Sequence, residues 1–412
     1  WRQDLELHEP DAFLTAEEVM SLRTGRKGEE FLKLIALSYP WLTPEHPDPL
    51  GQQLIDFAEL VICERDAQKC QSRAGGGRSG VFPDGEFAVF WDWGCLFQAC
   101  RSGKRTPDEQ RAFKHALATV NLWYAHKSTT VYCMRRLPPG CGKEVAQYDA
   151  RGWTSFERAI ALLVKPGNFA TWQKVVDLRP DELSSSETPK PAPVEPKDFA
   201  ELLKSKKFTN GADRQRVADM YTKTLTVALS EQDFVVQKET HWNDTDVINF
   251  AKVMKYCTSA IFLDMNTCNF GGIGMGAMVA AFSAGAMPNL RTITFGRTQL
   301  GDVALVELAE IKEAALPHLQ VLDFWNCGVG DEGALALAEA LRRGCFRRLR
   351  RIELFNVEKT WSRSDPKNHI GEHGREAFRN ACTKRPNITV NYDEIIWHGC
   401  DVFQAQPLGR PA

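Results

Sequence analysis

Leu319-Gln320-Val321-Leu322-Asp323-Phe324-Trp325-Asn326-Cys327 is one of four copies of a single pattern, and its reading decides the fold of half the chain. The other copies are Ala260-x-x-Leu263-x-Met265-x-x-Cys268, Leu290-x-x-Ile293-x-Phe295-x-x-Thr298 and Leu349-x-x-Ile352-x-Leu354. Their third apolar position falls at 265, 295, 324 and 354, so successive copies lie 30, 29 and 30 residues apart. A near-constant period of this length marks stacked supersecondary units. Each copy predicts a short strand, a turn and a helix. Asp331 to Arg343 shows the helix best: Leu335, Ala338 and Leu341 recur at helical spacing and Asp331 offers an N-cap.

The array extends beyond the four clear copies. Phe234-x-Val236 followed by the amphipathic stretch Asp244 to Tyr256 reads as a degenerate first repeat. Asn210 to Leu229 reads as a helix capping the array, because a terminal repeat needs a polar outer side. After Leu354 the pattern breaks. Val357 to His369 reads as an inserted loop, Glu372 to Lys384 as a helix and Ile388 to Val390 as a last edge strand. An apolar core of this spacing closed by Asn or Cys resembles the leucine-rich repeat, in the long form of ribonuclease inhibitor and NOD-like receptors. The resemblance implies an α/β solenoid over 198–400 that binds a protein partner on its concave face.

Residues between and just after the apolar pair of each strand should point away from the core. One column reads Asp264, Thr294, Asp323, Glu353, and the next Asn266, Gly296, Trp325, Phe355. An acidic stripe beside two aromatics suits a protein-binding hot spot, so Asp264, Asn266, Thr294, Asp323, Trp325, Glu353 and Phe355 are the expected partner contacts. The alternative is that the Val357–His369 insertion covers Trp325 and Phe355.

Composition bounds the rest. The chain has 412 residues, with 51 basic against 53 acidic, so no global charge draws it to nucleic acid or membrane. No run of about 18 apolar residues predicts a transmembrane helix. The chain begins at Trp1 rather than Met and shows no charged-then-apolar leader, which leaves a fragment of a longer protein open. Its 12 cysteines include no C-x-x-C pair, and Cys268 and Cys327 sit at the repeat's turn-closing position, so a reduced, cytoplasmic setting is expected. Leu183 to Pro196 is Ser/Pro-rich and reads as an extended linker, dividing a domain at 1–180 from the repeats, with 181–197 between them and 401–412 as a tail. Gln71 to Gly80 reads as a flexible excursion within the first domain.

That first domain alternates strands and helices: strands at Phe31–Leu37, Phe87–Trp91 and Thr129–Met134, helices at Gln52–Cys63, Pro107–Ala125 and Trp153–Lys165. The alternation predicts a small parallel α/β sheet, whose ligands would bind beyond the carboxyl ends of the strands, around Ser38–Trp41, Asp92–Gln98 and the loop before Trp153. Those strand ends carry Ile35-Ala36-Leu37-Ser38-Tyr39-Pro40-Trp41, Phe90-Trp91-Asp92-Trp93-Gly94-Cys95-Leu96-Phe97-Gln98 and Arg151-Gly152-Trp153-Thr154-Ser155-Phe156-Glu157. In order and spacing these resemble the three motifs of fungal heterokaryon-incompatibility (HET) domains, relatives of Toll/interleukin-1 receptor (TIR) domains. Thr154 and Leu42 depart from the relatives' Cys and Gly.

Enzymatic TIR domains split NAD at the nicotinamide–ribose bond with a Glu spaced like Glu157 from Trp153, so the resemblance implies NAD as a possible substrate and Glu157 as the catalytic carboxylate. A carboxylate there would stabilise positive charge growing on the ribose. Helical spacing would set the Trp153 indole beside it. Asp92 is the second catalytic candidate, and Ser38, Tyr39, Trp41 and Trp153 are the ligand-binding candidates. Against catalysis, Glu157 could merely complement a helix N-terminus and Asp92 cap a turn.

Other signals carry less. Gly272-x-Gly274-x-Gly276 resembles a dinucleotide fingerprint but falls where repeats place Gly. Gly75 to Gly80 lacks a phosphate-loop ending, and His369-x-x-x-His373 has no third ligand beside it, so no metal is expected. Arg342, Arg343, Arg347, Arg348, Arg350 and Arg351 read as a solvated helix end, with docking to an anionic partner as the lesser reading. The functional expectation is a signalling protein, resembling innate-immune receptors in outline, that recognises a protein partner. No nucleic acid or membrane is expected, and the first domain could self-associate. An NAD glycohydrolase governed by the repeats is the alternative, and a GTPase-activator-like repeat protein the second alternative.

Overall fold

The computed structural model describes residues 2–14, 33–43, 45–73, 87–99, 104–142, 144–165, 175–178, 190–236, 242–357 and 366–392, with backbone alone for 33, 63–73 and 87. It divides into two compact units: 1–190 with 196–228, and 191–195 with 229–412. No helix among the described residues is long and apolar enough to cross a membrane.

The first unit holds α1 (Arg2–His8), β1 (Lys33–Ser38), α2 (Gln52–Arg73), β2 (Phe87–Phe90), α3 (Asp92–Cys95), α4 (Pro107–Thr119), α5 (Asn121–Ala125), β3 (Thr129–Met134), α6 (Gly152–Val164) and β4 (Val175–Leu178). Helices α7 (Pro196–Lys204) and α8 (Asp213–Ser230), the latter through Ala228, complete it. All strands run parallel in the order β2-β1-β3-β4. β3 is buried along its whole length, as a strand with neighbours on both edges and helices over its faces must be. Ile35, Leu37, Tyr39, Phe57, Val61, Tyr132, Met134 and Val176 pack into one core that ties β1, β3 and β4 to α2. Thr106 and Glu109 form a reciprocal capping box that starts α4.

Several boundaries differ from the sequence reading. α2 continues through Arg73, ten residues past Cys63, so Gln71 to Arg73 is helix, and 74–80 lie outside the described residues. Pro107 to Ala125 is two helices meeting at Val120. Strand β4 was not anticipated. The capping helix predicted for the repeats is α8, yet to Ala228 its contacts cluster with the first unit. Thr224 is one reason, since Asn121 donates to its hydroxyl at 3.0 Å. The late part of the predicted linker is not solvated: Ala192 and Glu195 are buried, and Lys255 Nζ donates to Glu195 Oε1 at 2.6 Å. Residues 183–189 and 401–412 lie outside the described residues.

The second unit repeats strand, turn and helix: β5 (Phe234–Val236), α9 (Asp244–Val253), β6 (Phe262–Asp264), α10 (Gly272–Ser283), β7 (Thr292–Thr294), α11 (Gly301–Ala309), β8 (Val321–Asp323), α12 (Asp331–Arg342), β9 (Arg351–Glu353), α13 (Glu372–Cys382) and β10 (Thr389–Asn391). The strands pair parallel in sequence order, β5 through β10. Leu263, Ile293, Leu322 and Ile352 align in register and are fully buried, and Phe295 and Phe324 stack beneath them at 5.4 Å. The turns after β6, β7 and β8 each put a non-glycine residue at positive φ, at Thr267, Arg297 and Asn326. A position that costs an L-residue about 1 kcal/mol recurs because the period forces the same chain reversal each time.

Three helices, α10, α12 and α13, are capped from the preceding repeat. Asp244 Oδ1 accepts from Gly271 N (3.0 Å) and Gly274 N (2.6 Å). Asp302 Oδ1 does the same for Gly330 and Gly333, and Asp331 Oδ1 for Gly371 and Gly374. Asp331 therefore caps α13 rather than its own helix, whose N-cap is Gly330. Two of these glycines leave no room for a side chain: a Cβ on Gly274 would lie 2.8 Å from Asp244 Oδ1, and one on Gly374 2.7 Å from Asp331 Oδ1. Gly274 is thus an inter-repeat packing glycine.

The pattern that breaks after Leu354 resumes at Asn368. Asn368-His369-Ile370-Gly371 stands where Cys327-Gly328-Val329-Gly330 stands one repeat earlier. Asn368 is buried; its Oδ1 accepts from Cys327 N and Val329 N, and its Nδ2 donates to Phe324 O and Leu354 O. The base of the insertion is pinned too, by reciprocal bonds between Asn356 and Asn368 and between Asn326 and Val357.

Candidate functional site

In the first unit the chain order disperses the polar groups that the sheet then gathers. β1 ends at Ser38 and β3 carries Cys133 directly opposite it. β2 ends at Phe90, so Asp92 follows at the same edge. α6 crosses behind with Glu157 in its second turn. Ser38 Oγ donates to Glu157 Oε2 at 2.6 Å and lies 2.7 Å from the Tyr148 hydroxyl. Ser38 and Tyr148 are nearly inaccessible and Glu157 is 8% exposed. Burial pushes the Glu157 carboxyl well above the usual carboxylate range; hydrogen bonds from Ser38 and Tyr124 oppose this, and the charge of Asp92 adds to it.

Asp92 forms the second half of the cluster. Its Oδ1 accepts from Tyr39 Oη at 2.6 Å and from Trp93 N at 2.7 Å, and Trp41 bonds it as well. Trp91 Nε1 in turn donates to Tyr39 Oη. Although Asp92 keeps some open surface, its carboxyl is enclosed, and burial raises its pKa against those bonds. Trp41 meets Trp93 edge-on at 5.2 Å. Ser38 is thus joined to Glu157, and Tyr39 and Trp41 to Asp92, as two groups that leave β1 from successive residues. Trp153 joins neither: its indole donates to Asp213 Oδ2 at 3.2 Å, so it is engaged with α8 rather than lying along Glu157.

The residues that hold the cluster were not singled out from sequence. Arg158 grips fully buried Asp177 on β4 through three contacts of 2.6 to 3.1 Å, which fixes the helix that carries Glu157. Tyr124 Oη donates to Leu37 O at 3.2 Å, just before Ser38. The available signal was proximity: Tyr148 precedes, and Arg158 follows, the Arg151–Glu157 motif.

On the repeat sheet the expected columns are largely closed. Asp264, Asn266, Thr294 and Trp325 are only 4 to 7% exposed. The outward direction of these strand positions does not make them free, because they bond to one another across the strands. Thr294 Oγ1 donates to Asn266 Oδ1 at 2.7 Å and lies 3.3 Å from Asp323 Oδ2. Trp325 lies flat over Gly296, where a Cβ would sit 1.8 Å from its Nε1, and stacks on Phe355 at 6.4 Å. Trp325 is therefore a buried packing group and not an open contact, while Phe355 and Glu353 stay partly exposed. Burial raises Asp323 to about 7, with Glu353 and Asp264 adding to the shift. The open aromatic on this face was missed: Phe234 on edge strand β5 is 59% exposed and packs against Phe262 at 5.8 Å.

Residues 315–338, which span the turn before β8, β8 itself and most of α12, match the family model described as Leucine Rich repeat. No curated protein matches the chain. That stretch of the second unit is accordingly a leucine-rich repeat, a framework used for protein–protein interaction. No group of three or more His, Cys, Asp or Glu side chains among the described residues could hold a metal ion.

Proposed function

We propose that the chain is a signalling-type recognition protein whose leucine-rich repeats stack as a solenoid of the ribonuclease-inhibitor/NOD-like-receptor type and bind a protein partner on the strand face. The observation that carries this reading is the exposed Phe234, 59% open and braced by Phe262 at one edge of the strand face, with the partly exposed Glu353 and Phe355 four strands away on the same face. A rigid aromatic anchor at one edge and a carboxylate towards the other suit an extended partner segment with apolar and basic side chains. Asp264, Asn266, Thr294 and Trp325 support that face from beneath; Phe234, Glu353 and Phe355 would touch the partner. Panning a random peptide library against the whole protein tests it. Selected peptides should be rich in Lys, Arg and apolar residues and should lose about tenfold or more in affinity against Phe234→Ala, Glu353→Ala. Undiminished binding to that double variant would sink the reading.

One observation favours a second reading, in which the first unit is HET/TIR-like and splits NAD with Glu157. Three separate motifs deliver Ser38, Asp92 and Glu157 to the carboxyl edge of one parallel sheet, where ligands of such sheets bind. Nicotinamide release from NAD by the purified protein, abolished in Glu157→Gln, would support it. A folded protein without turnover would leave Glu157 a structural group. The GTPase-activator alternative has no observation in its favour.

A further inference from the structure

One edge of the second unit concentrates positive charge in a way that the fold does not require. Residues 342–351 include six arginines and no acidic residue, in a chain of net charge −2. All six are exposed. Two have structural work: Arg342 and Arg343 end α12, where cations complement the helix dipole, and Arg343 also donates to Ala309 O. Arg347, Arg348, Arg350 and Arg351 come after that helix has ended, so the dipole does not explain them.

These four are held on rigid backbone. Arg350 N donates to Gln320 O at 2.8 Å and Thr389 N to Arg350 O at 2.8 Å, which locks the start of β9 between its neighbours. Arg348 is set by His318 Nδ1 at 3.1 Å. Two of them have loose acidic partners, Arg347 at 3.9 Å from Glu313 and Arg351 at 3.8 Å from Glu353. The next loop adds more positive charge, since Arg385 Nη1 donates to Cys345 O at 2.8 Å and exposed Lys384 adjoins it. Two carboxylates do not balance four guanidinium groups with Arg385 and Lys384 beside them, and a polyanion would relieve the remaining repulsion.

We propose that this rim docks an acidic protein segment, an Asp/Glu-rich stretch whose carboxylates pair with the guanidinium forks of Arg347, Arg348 and Arg350. Arginine rather than lysine at every position favours planar, two-pronged partners. Single-stranded nucleic acid fits poorly, because base stacking needs open aromatics and Phe346, the aromatic of the loop, is fully buried. A bilayer fits poorly as well: Cys345, Phe346 and Leu349 all point inward, leaving nothing apolar to insert. The proposal stands apart from the strand-face reading, since it uses neither Phe234 nor Glu353.

The test is fluorescence anisotropy of a labelled oligo-glutamate peptide with the full chain, beside an oligonucleotide of equal charge and phosphatidylserine vesicles. The peptide should bind with an affinity that falls as salt rises, and Arg347→Glu, Arg350→Glu should weaken it by about tenfold or more. Arg347→Ala, Arg350→Ala should weaken it less, and Lys223→Glu on α8 should leave it unchanged. The proposal is overturned if the peptide does not bind. It is overturned equally if the oligonucleotide or the vesicles bind more tightly, or if Lys223→Glu costs as much as the rim variants.

Discussion

Asn368 offers the sharpest test of how the insertion is tolerated. Its side chain makes four hydrogen bonds to backbone: from Cys327 N (3.1 Å) and Val329 N (2.9 Å), and to Phe324 O (2.8 Å) and Leu354 O (3.0 Å). The residue is 8% exposed, so water does not reach these groups readily. Asn368→Ala would leave four buried polar groups without partners, at about 1–3 kcal/mol each before relaxation. Allowing for local repacking and water entry, the net cost should be about 3–5 kcal/mol. Amide hydrogen exchange on the whole protein reads this locally. Peptides covering 321–329 and 366–371 should lose about two to three orders of magnitude of protection, while those covering β1 should not change. Asn368→Asp should be no milder, because a carboxylate would turn an acceptor toward the carbonyls of Phe324 and Leu354. Asn368→Cys, which restores the side chain found at Cys268 and Cys327, should cost less than either. A loss below about 1 kcal/mol in the Ala variant would refute the view that this one side chain bridges the insertion.

Other perturbations test other parts of the argument. Asp331→Ala removes the acceptor shared by Gly371 N and Gly374 N and should lower protection of α13 by about 1–2 kcal/mol, with α9 unaffected. Gly296→Ala would force a Cβ into the Trp325 ring, so fluorine NMR of fluorotryptophan-labelled protein should show the Trp325 line shift, with about 1–3 kcal/mol lost. Asp323 is raised from 3.8 to about 7 in the folded state, so its ionisation opposes folding, and the penalty grows as pH rises between those values. Asp323→Asn should match the parent near pH 4 and exceed it by about 1–2 kcal/mol at pH 8, discounted for partial exposure, as read by urea denaturation.

The repeat unit is legible in sequence because its information is redundant. Leu263, Ile293, Leu322 and Ile352 recur at one period, and every copy repeats the same burial problem, so errors in one are corrected by the next. The inter-repeat caps are not legible that way. Asp331 precedes a helix and looks like its N-cap, but its acceptor is used 40 residues later by Gly371, a distance that local rules do not span. The same limit hides the reach of Asn368. On the strand face, alternation predicts direction correctly for Asp264 and Trp325 but not exposure, which depends on lateral neighbours such as Asn266, Gly296 and Phe355. In the first unit the motif residues Ser38 and Asp92 could be chosen from their places at strand ends, and Glu157 from its spacing after Trp153. Their buttresses, Tyr148, Tyr124 and the Arg158–Asp177 fork, required the folded sheet.

The two readings of the first unit make opposite demands on one proton. Stabilising positive charge on a ribose needs an ionised carboxylate, whereas burial pushes the Glu157 carboxyl well above its ordinary pKa and so favours the neutral form. A neutral Glu157 bonded to Ser38 is sufficient for a structural role. For catalysis the ligand must itself ionise it, and a cation brought into contact does so, because opposite charge favours the charged form. Binding of a cationic nicotinamide riboside should then expel a proton from Glu157. Calorimetry at pH 7 in buffers of different ionisation enthalpy measures that release directly. The catalytic reading expects proton release in the parent and none in Glu157→Gln, which carries no titratable group there. Binding without proton release, in a parent whose Glu157 carboxyl is shown to be protonated by its carbon-13 shift, would mean that Glu157 stays neutral beside the cation. In that case it could not supply the charge that the reaction needs, whatever the resemblance of its motif.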